Sequence, residues 1–157
     1  MVFSSGVFLF AFLPLVLMAY FIVPGRKAKN YILLLFSLFF YAWGEPVYVF
    51  LMLFSIAANW MLVIIFNNLK NRGSKRLSGL FFAFSVVLNI ILLGYYKYFD
   101  FIIVNINSIF GLDLPQKNLP LPIGISFFTF QALSYVIDAW RGTVRVQKNP
   151  LYLGMYI

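Results

Sequence analysis

The chain has 157 residues and a formal net charge of +8, yet only 10% of its residues are charged, while 63% are hydrophobic and 21% aromatic. Soluble domains carry about 25% charged residues, so the composition predicts an all-α integral membrane protein. Cysteine and histidine are absent, which excludes disulfides, thiolate metal sites and the commonest general base. With four scattered acidic residues, neither a metal nor a cofactor is expected.

Five apolar runs predict about five transmembrane helices, at residues 7–23, 31–43, 47–66, 77–96 and 121–140. The first contains Pro14, where a kink is expected. A span needs about 20 residues, so the second run is short, and it either tilts little or extends back into the preceding loop. Asn59 and Asn89 interrupt the third and fourth runs, and each is read as a hydrogen-bonding contact between helices.

Residues 98–110 follow the fourth run and place apolar side chains at helical spacing, with Asp100, Asn105 and Asn107 between them. This pattern predicts an amphipathic helix at the membrane interface. Residues 111–119 are rich in turn formers. Residues 151–157 have the composition of a further apolar helix, so the chain is expected to be a fragment of a larger multi-span bundle.

The basic residues predict the orientation of the chain. Ten of the twelve lie in alternate loops, and only Lys97 and Lys117 lie on the other side. Because lysine and arginine near span ends stay cytoplasmic, the N-terminus is predicted outside and the C-terminus inside. This distribution accounts for the positive charge, so nucleic-acid binding is not expected.

The fifth run carries polar side chains at spacings that share one helix face. The members are Gln131, Ser134, Tyr135 and Asp138, with Arg141 one further turn along; we call this set the polar stripe. Thr129 lies on the opposite face. The polar stripe is expected to face protein or a water-filled cavity, with Asp138 within reach of an ion pair with Arg141. Periodicity alone leaves two interpretations open, which are interhelical hydrogen bonding and a polar substrate path.

Three stretches together resemble the membrane-bound O-acyltransferases. They are FFYAWGEP at 39–46, YYKYFDF at 95–101 and LPIGISFFTFQALSYVID at 121–138. Within that family the chain is most similar to the membrane subunits of alginate O-acetylation. The three stretches occur in the family's order, and the resemblance covers nearly the whole chain as the N-terminal third of such a protein.

The resemblance implies a multi-pass enzyme of the bacterial inner membrane that passes acyl groups from a cytoplasmic donor, acetyl-CoA being one option, toward a periplasmic partner protein or an exported polysaccharide. The family's catalytic histidine would lie beyond residue 157, so no catalytic residue is assigned here and the fragment alone is expected to be inactive. The polar stripe supplies the candidates for a substrate path. Two alternatives stay open, a transporter or channel subunit and a non-catalytic assembly subunit.

Overall fold

The computed structural model describes residues 5–157, and helices with their connecting segments make up this part of the chain. A π-helical turn, Phe8–Phe12, leads into the first of seven α-helices. Their bounds are α1 Leu13–Ile22, α2 Arg26–Gly44, α3 Tyr48–Asn71, α4 Lys75–Leu93, α5 Phe99–Phe110, α6 Ile125–Arg141 and α7 Pro150–Tyr156. The all-helical architecture predicted from the sequence is confirmed for the described residues.

Two structural units divide the chain. The first unit contains the chain up to Trp60 together with residues 147–157, and the second runs from Met61 to Val146. Helix α3 crosses the boundary, so each unit receives part of it. The polar stripe and the loops around it belong entirely to the second unit.

The first unit is built on close helix packing. Helix α2 packs against α1 and against α7, and Leu153 of α7 is 2% exposed. Gly154 lies where a methyl group would come within 3.6 Å of Ile56 and 3.7 Å of Leu34. These are ordinary van der Waals distances, so α7 packs against both neighbours at this position and a methyl group would fit there.

Pro14 explains the π-helical turn at the start of the first apolar run. Proline has no amide hydrogen and its ring crowds the preceding turn, so a regular α-helix cannot continue through it unchanged. The chain has a π-helical turn over Phe8–Phe12, and α1 begins with Pro14 in its first turn. At the proline, where a kink is expected, the structure has a π-helical turn, and residues 8–22 remain helical.

Helix α2 begins five residues before the predicted second run, at Arg26. Hydropathy marks only apolar residues, whereas lysine and arginine are good helix formers and continue the helix through the basic segment. The sequence leaves open whether the second run tilts little or extends back into the preceding loop, and the structure shows the extension. Helix α2 therefore has 19 residues, a length of about 28 Å.

The second unit centres on α4 and α6, which pack against each other. Ser78 of α4 is fully buried, and its Oγ donates a 2.7 Å hydrogen bond to the Phe66 carbonyl oxygen in α3. Another π-helical turn, Gly94–Tyr98, joins α4 to α5 without a loop, so residues from Lys75 to Phe110 form one 36-residue helical stretch. The sequence separates the fourth run from the helix at 98–110, and the structure connects them.

Two helical stretches are long and apolar enough to cross a bilayer, Tyr48–Asn71 and Lys75–Phe110, and Phe8–Ile22 is a shorter apolar helix. Helix α6 has 17 residues and begins at Ile125, because a turn closed by the Ile125 amide and the Pro122 carbonyl oxygen precedes it. It measures about 25 Å, slightly less than a hydrocarbon core of about 30 Å. The number of spans and their orientation stay predictions.

Candidate functional site

Helix α6, which carries the polar stripe, has glycine at both ends. Gly124 precedes it with a φ of 77°, and Gly142 follows it with a φ of 79°. At the C-terminal end the amides of Gly142 and Thr143 donate to the carbonyl oxygens of Ala139 and Asp138. This is a Schellman motif, in which a left-handed residue lets the chain satisfy the last carbonyls of a helix. The sequence therefore defines the limits of α6 sharply.

The five members of the polar stripe differ in how exposed their side chains are. Gln131, Ser134 and Arg141 are exposed, Asp138 is half-buried, and Tyr135 is 8% exposed. Within the described residues Asp138 and Arg141 form no ion pair with each other. The polar stripe is therefore a surface of the second unit, from which Tyr135 turns inward.

The buried side of α6 is the side opposite Ser134. Its fully buried members are Thr129, Ala132 and Val136, and Ile125, Phe128 and Ala139 are at most 4% exposed. Helix α4 is the helix against which α6 packs, and small side chains allow two helix backbones to approach closely. The Thr129 Oγ has no hydrogen-bond partner in the structure. Thr129 is thus a tightly packed position rather than a free surface.

Helix α4 contributes buried polar residues to the same unit. Ser78, Ser85 and Asn89 are each 0% exposed. The Asn89 Nδ2 donates a 2.8 Å hydrogen bond to the Ser85 carbonyl oxygen, one turn earlier in the helix. Asn59 of α3, in the first unit, makes the same kind of bond to the Ser55 carbonyl oxygen at 2.8 Å. Each asparagine therefore donates one hydrogen bond within its own helix, a local use of the polar group, and each makes a further contact as well.

An aromatic cluster surrounds the C-terminal end of α6. Trp140 stacks on Phe82 with ring centroids 4.6 Å apart, and its ring meets that of Phe66 edge-on at 5.7 Å. The Lys70 Nζ donates a 2.8 Å hydrogen bond to the Trp140 carbonyl oxygen and lies 5.2 Å from the centre of its ring. A cation is favourable here because the C-terminus of a helix carries partial negative charge.

A second lysine contacts the other end of α6. The Lys97 Nζ, in the π-helical turn after α4, donates a 3.0 Å hydrogen bond to the Ser126 Oγ in the first turn of α6. Lys97 also lies 5.5 Å from the ring centre of Tyr98. This contact joins two of the three stretches that carry the family resemblance. Helices α4 and α6 are therefore antiparallel, and α6 is held at both ends by lysines from other elements.

Hydrogen bonds from side chains of α5 hold the segment between α5 and α6 against α5. Asn107 bonds both backbone groups of Leu114, each at 3.0 Å, and the Asp100 Oδ1 accepts a 2.9 Å hydrogen bond from the Lys117 amide. The Lys117 Nζ donates to the Tyr95 hydroxyl at 3.1 Å and lies 5.0 Å from the ring centres of Tyr95 and Phe99. We call residues 111–124 the strap.

The titratable groups offer no metal centre: within residues 5–157 no three acidic, histidine or cysteine side chains come together. Lys97 and Lys117 are site residues that the spacing of the polar stripe does not identify. Their position in the sequence distinguishes them, since they are the two basic residues outside the loops predicted to be cytoplasmic.

Comparison with known proteins places this geometry in a family context. The chain is 36% identical over 165 residues to a probable alginate O-acetylase of Pseudomonas aeruginosa and 36% identical over 163 residues to one of Azotobacter vinelandii. Both alignments cover all of this chain, and 30% and 32% of those proteins. The resemblance to the membrane-bound O-acyltransferases of alginate O-acetylation is confirmed. No family model matches the chain, and no solved structure does.

A relative with a different name also aligns with this chain. A peptidoglycan O-acetyltransferase of Helicobacter pylori is 35% identical over 146 residues, which are 90% of this chain and 27% of that protein. The chain thus spans about a third of the length of these alginate O-acetylase-like relatives. The contact between Lys97 and Ser126 lies inside the stretches that carry the resemblance to the O-acyltransferases.

Proposed function

We propose that this chain is part of a membrane O-acyltransferase that transfers acyl groups, acetyl in the simplest case, to hydroxyls of an exported cell-surface polysaccharide such as alginate. The observation that carries the proposal is the alignment of the whole chain with alginate O-acetylases at 36% identity. The hydrogen bond between Lys97 and Ser126, which joins two of the three stretches typical of the family, adds structural support.

The role of this region within the enzyme follows from the range of its relatives. Proteins named for alginate and for peptidoglycan match it at 36% and 35% identity. What such proteins share is the handling of the acyl group, whereas the acceptor polymers differ chemically. We therefore assign this region to the acyl-transfer step and place the choice of polymer elsewhere in the protein.

The cellular location in this proposal is the bacterial inner membrane, with several spans, an outer N-terminus and an inner C-terminus. The asymmetry of the basic residues supports it, because ten of twelve fall in loops predicted to be cytoplasmic. In this orientation Lys70 and Arg141 lie at the cytoplasmic end of the second unit, and Lys97 and Ser126 lie at the periplasmic end.

The polar stripe is the candidate substrate path. Gln131 and Ser134 present a neutral amide and a hydroxyl at the surface of α6. In a chamber that excludes water, such donors polarise a thioester or ester carbonyl and stabilise the negative charge that develops on its oxygen. Tyr135 would orient the same group, and Asp138 with Arg141 would stand at the cytoplasmic entrance. Covering α6 with further helices of the protein creates that chamber.

The reaction needs one group that this chain does not contain. When the acceptor hydroxyl oxygen bonds to the acyl carbonyl carbon, the bond from that carbon to the donor breaks and the hydroxyl proton passes to a base. Histidine is the commonest such base, and these 157 residues contain none. We propose that the base comes from another part of the protein, and that residues 1–157 alone insert in the membrane without transferring acyl groups.

The partners in this proposal are the lipid bilayer, an acyl donor reached from the cytoplasm, and an exported polysaccharide or a periplasmic acetylation protein. The experiment uses the intact protein in a strain that lacks it. Ester-linked acetate on the isolated polysaccharide, measured by proton NMR, should return with the intact gene and stay absent with residues 1–157 alone. Unchanged polysaccharide, together with altered passage of a solute, would favour a transporter instead.

A further inference from the structure

The helix that contains α4 is longer than a membrane is thick. Helix α4 has 19 residues, about 28 Å, which matches a hydrocarbon core of about 30 Å. The helical path continues through Gly94–Tyr98 into the 12 residues of α5, which add about 18 Å. A straight continuation would carry α5 beyond the headgroups into water.

Helix α5 is poorly suited to water. Phe101 is 66% exposed, Ile109 74% and Phe110 70%. Ile102 and Val104 are exposed as well. Large exposed apolar surfaces that are contiguous mark contact sites for membranes or proteins. An apolar surface of this kind needs a partner outside the described chain.

The polar side of α5 already has its partner. Asp100 and Asn107, two turns apart, bond the strap at Lys117 and Leu114. The strap therefore satisfies the polar groups of α5 and lies along that side of the helix. What α5 leaves open is mainly apolar, and the exposed Asn105 on that surface donates its amide to the Phe101 carbonyl oxygen one turn earlier.

The junction before α5 permits a change of direction. Tyr98, the residue before α5, has φ −115° and ψ −2°, which departs from α-helical values near −63° and −42°. It ends the π-helical turn Gly94–Tyr98, and π-bulges are among the usual sites of helix kinks. Helix α5 therefore need not follow the axis of α4.

The residues at this junction are of the types that favour the headgroup region of a membrane. Tyr95 and Tyr98 are both exposed, with Lys97 between them, and tyrosine and lysine favour the headgroup level, where a polar tip reaches water from an apolar stem. Neither Lys97 nor Lys117 forms an ion pair within residues 5–157. Lysine side chains beside an apolar surface favour the headgroup level of phospholipids, and Asp100 and Asp113 balance their charge.

We propose that α5 lies in the headgroup region of the bilayer at the end of α4, with Phe101, Ile109 and Phe110 among the acyl chains and the strap on the water side. The occupant of the apolar surface is phospholipid. This proposal does not depend on the acyltransferase assignment, because it concerns only where α5 lies.

The test measures depth with single cysteines, since the chain has none of its own. Ile109→Cys reports the apolar surface, and Gln116→Cys in the strap is the matched control. Each intact protein is labelled with an environment-sensitive fluorophore and reconstituted in vesicles of phosphatidylethanolamine and phosphatidylglycerol. Quenching is compared for iodide in water, for lipids carrying a nitroxide near the headgroup, and for lipids carrying one at the chain end.

At Ile109→Cys we expect several-fold stronger quenching by the shallow nitroxide than by iodide, with the reverse order at Gln116→Cys. Equal iodide quenching at both positions would place α5 in water and overturn the proposal. Protection of position 109 from all quenchers would show a protein partner on the surface. Strongest quenching by the deep nitroxide would make α5 part of a span, which also overturns it.

Discussion

Lys97 and Ser126, 29 positions apart in the sequence, are joined by a 3.0 Å hydrogen bond from Nζ to Oγ. The bond connects the π-helical turn after α4 to the first turn of α6, and it fixes the end of the helix that carries the polar stripe. It is an exposed bond to a charged group, so its contribution to stability is modest.

A double-mutant cycle measures this contact. We expect Lys97→Met and Ser126→Ala each to lower the free energy of unfolding of the intact protein in detergent, and to be coupled by about 0.5–1 kcal/mol. Chemical unfolding followed by tryptophan fluorescence gives the four values. Lys75→Met, at an exposed lysine, is the control and should leave stability nearly unchanged. Additive effects of the two substitutions would show that the bond is not populated.

The contact between Ser78 and Phe66 predicts a larger effect. Ser78 is 0% exposed and bonds the Phe66 carbonyl oxygen at 2.7 Å. Ser78→Ala should cost about 1 kcal/mol for the lost hydrogen bond, and Ser78→Leu about 1–3 kcal/mol more because the site is closely packed. Thermal unfolding in detergent provides the measurement.

Ser74→Ala is the matched control for that pair, since Ser74 makes no capping hydrogen bond with its side chain. A loss of stability from Ser74→Ala as large as that from Ser78→Ala would mean that removing any hydroxyl near the start of α4 has this effect.

The polar stripe makes a prediction about activity. In the intact protein Gln131→Leu and Asp138→Leu should leave the folded yield unchanged and lower acyl transfer per folded molecule, by tenfold for each loss of about 1.4 kcal/mol in transition-state stabilisation. The measurement is acetate transferred per mole of monodisperse protein. A fall in folded yield with unchanged specific activity would assign the polar stripe to helix packing instead.

The control for the polar stripe has to be chosen from the structure. Thr129 is opposite the polar stripe and looks suitable from the sequence, but it is fully buried, so Thr129→Leu would overpack the helix interface. Leu133 is half-buried and lies off the polar stripe, and Leu133→Met nearly conserves its volume. It should change neither yield nor activity.

The predicted orientation is tested by labelling whole cells with a membrane-impermeant maleimide. A cysteine at Ser74 should react only after the membrane is opened, because residues 70–76 are predicted to be cytoplasmic, and a cysteine at Gln116 should react in intact cells. Labelling of Ser74→Cys from outside would reverse the orientation and move the candidate entrance at Asp138 to the periplasmic side.

Local signals in the sequence account for much of the fold. Apolar runs locate most of the helices, and Gly142 marks the end of α6. The start of α2 at Arg26 is missed because hydropathy does not register helix-forming cations. The continuity from α4 to α5 is missed because Asp100 and the asparagines suggest a break in polarity, whereas backbone hydrogen bonds continue regardless of the side chains.

The site is less predictable than the fold. Spacing places Gln131, Ser134 and Tyr135 near one another on α6, but it does not decide which face packs on α4. In the structure the packed face is the one with Ala132 and Ala139, whose small side chains allow close approach of the two helices. The contacts of Lys70 with Trp140 and of Lys97 with Ser126 join distant positions, and only tertiary structure brings them together.

The two lysines at the ends of α6 restrict how that helix can move. Lys70 holds the carbonyl of Trp140 in its last turn, and Lys97 holds the hydroxyl of Ser126 in its first. A ratchet of one helical turn, about 5.4 Å, would have to break both contacts at once. Axial sliding of α6 therefore costs both contacts, whereas a small roll about its own axis need break neither, because each lysine stem is flexible. If an acyl group advances along Gln131 and Ser134, it moves past a helix that does not itself slide along its axis.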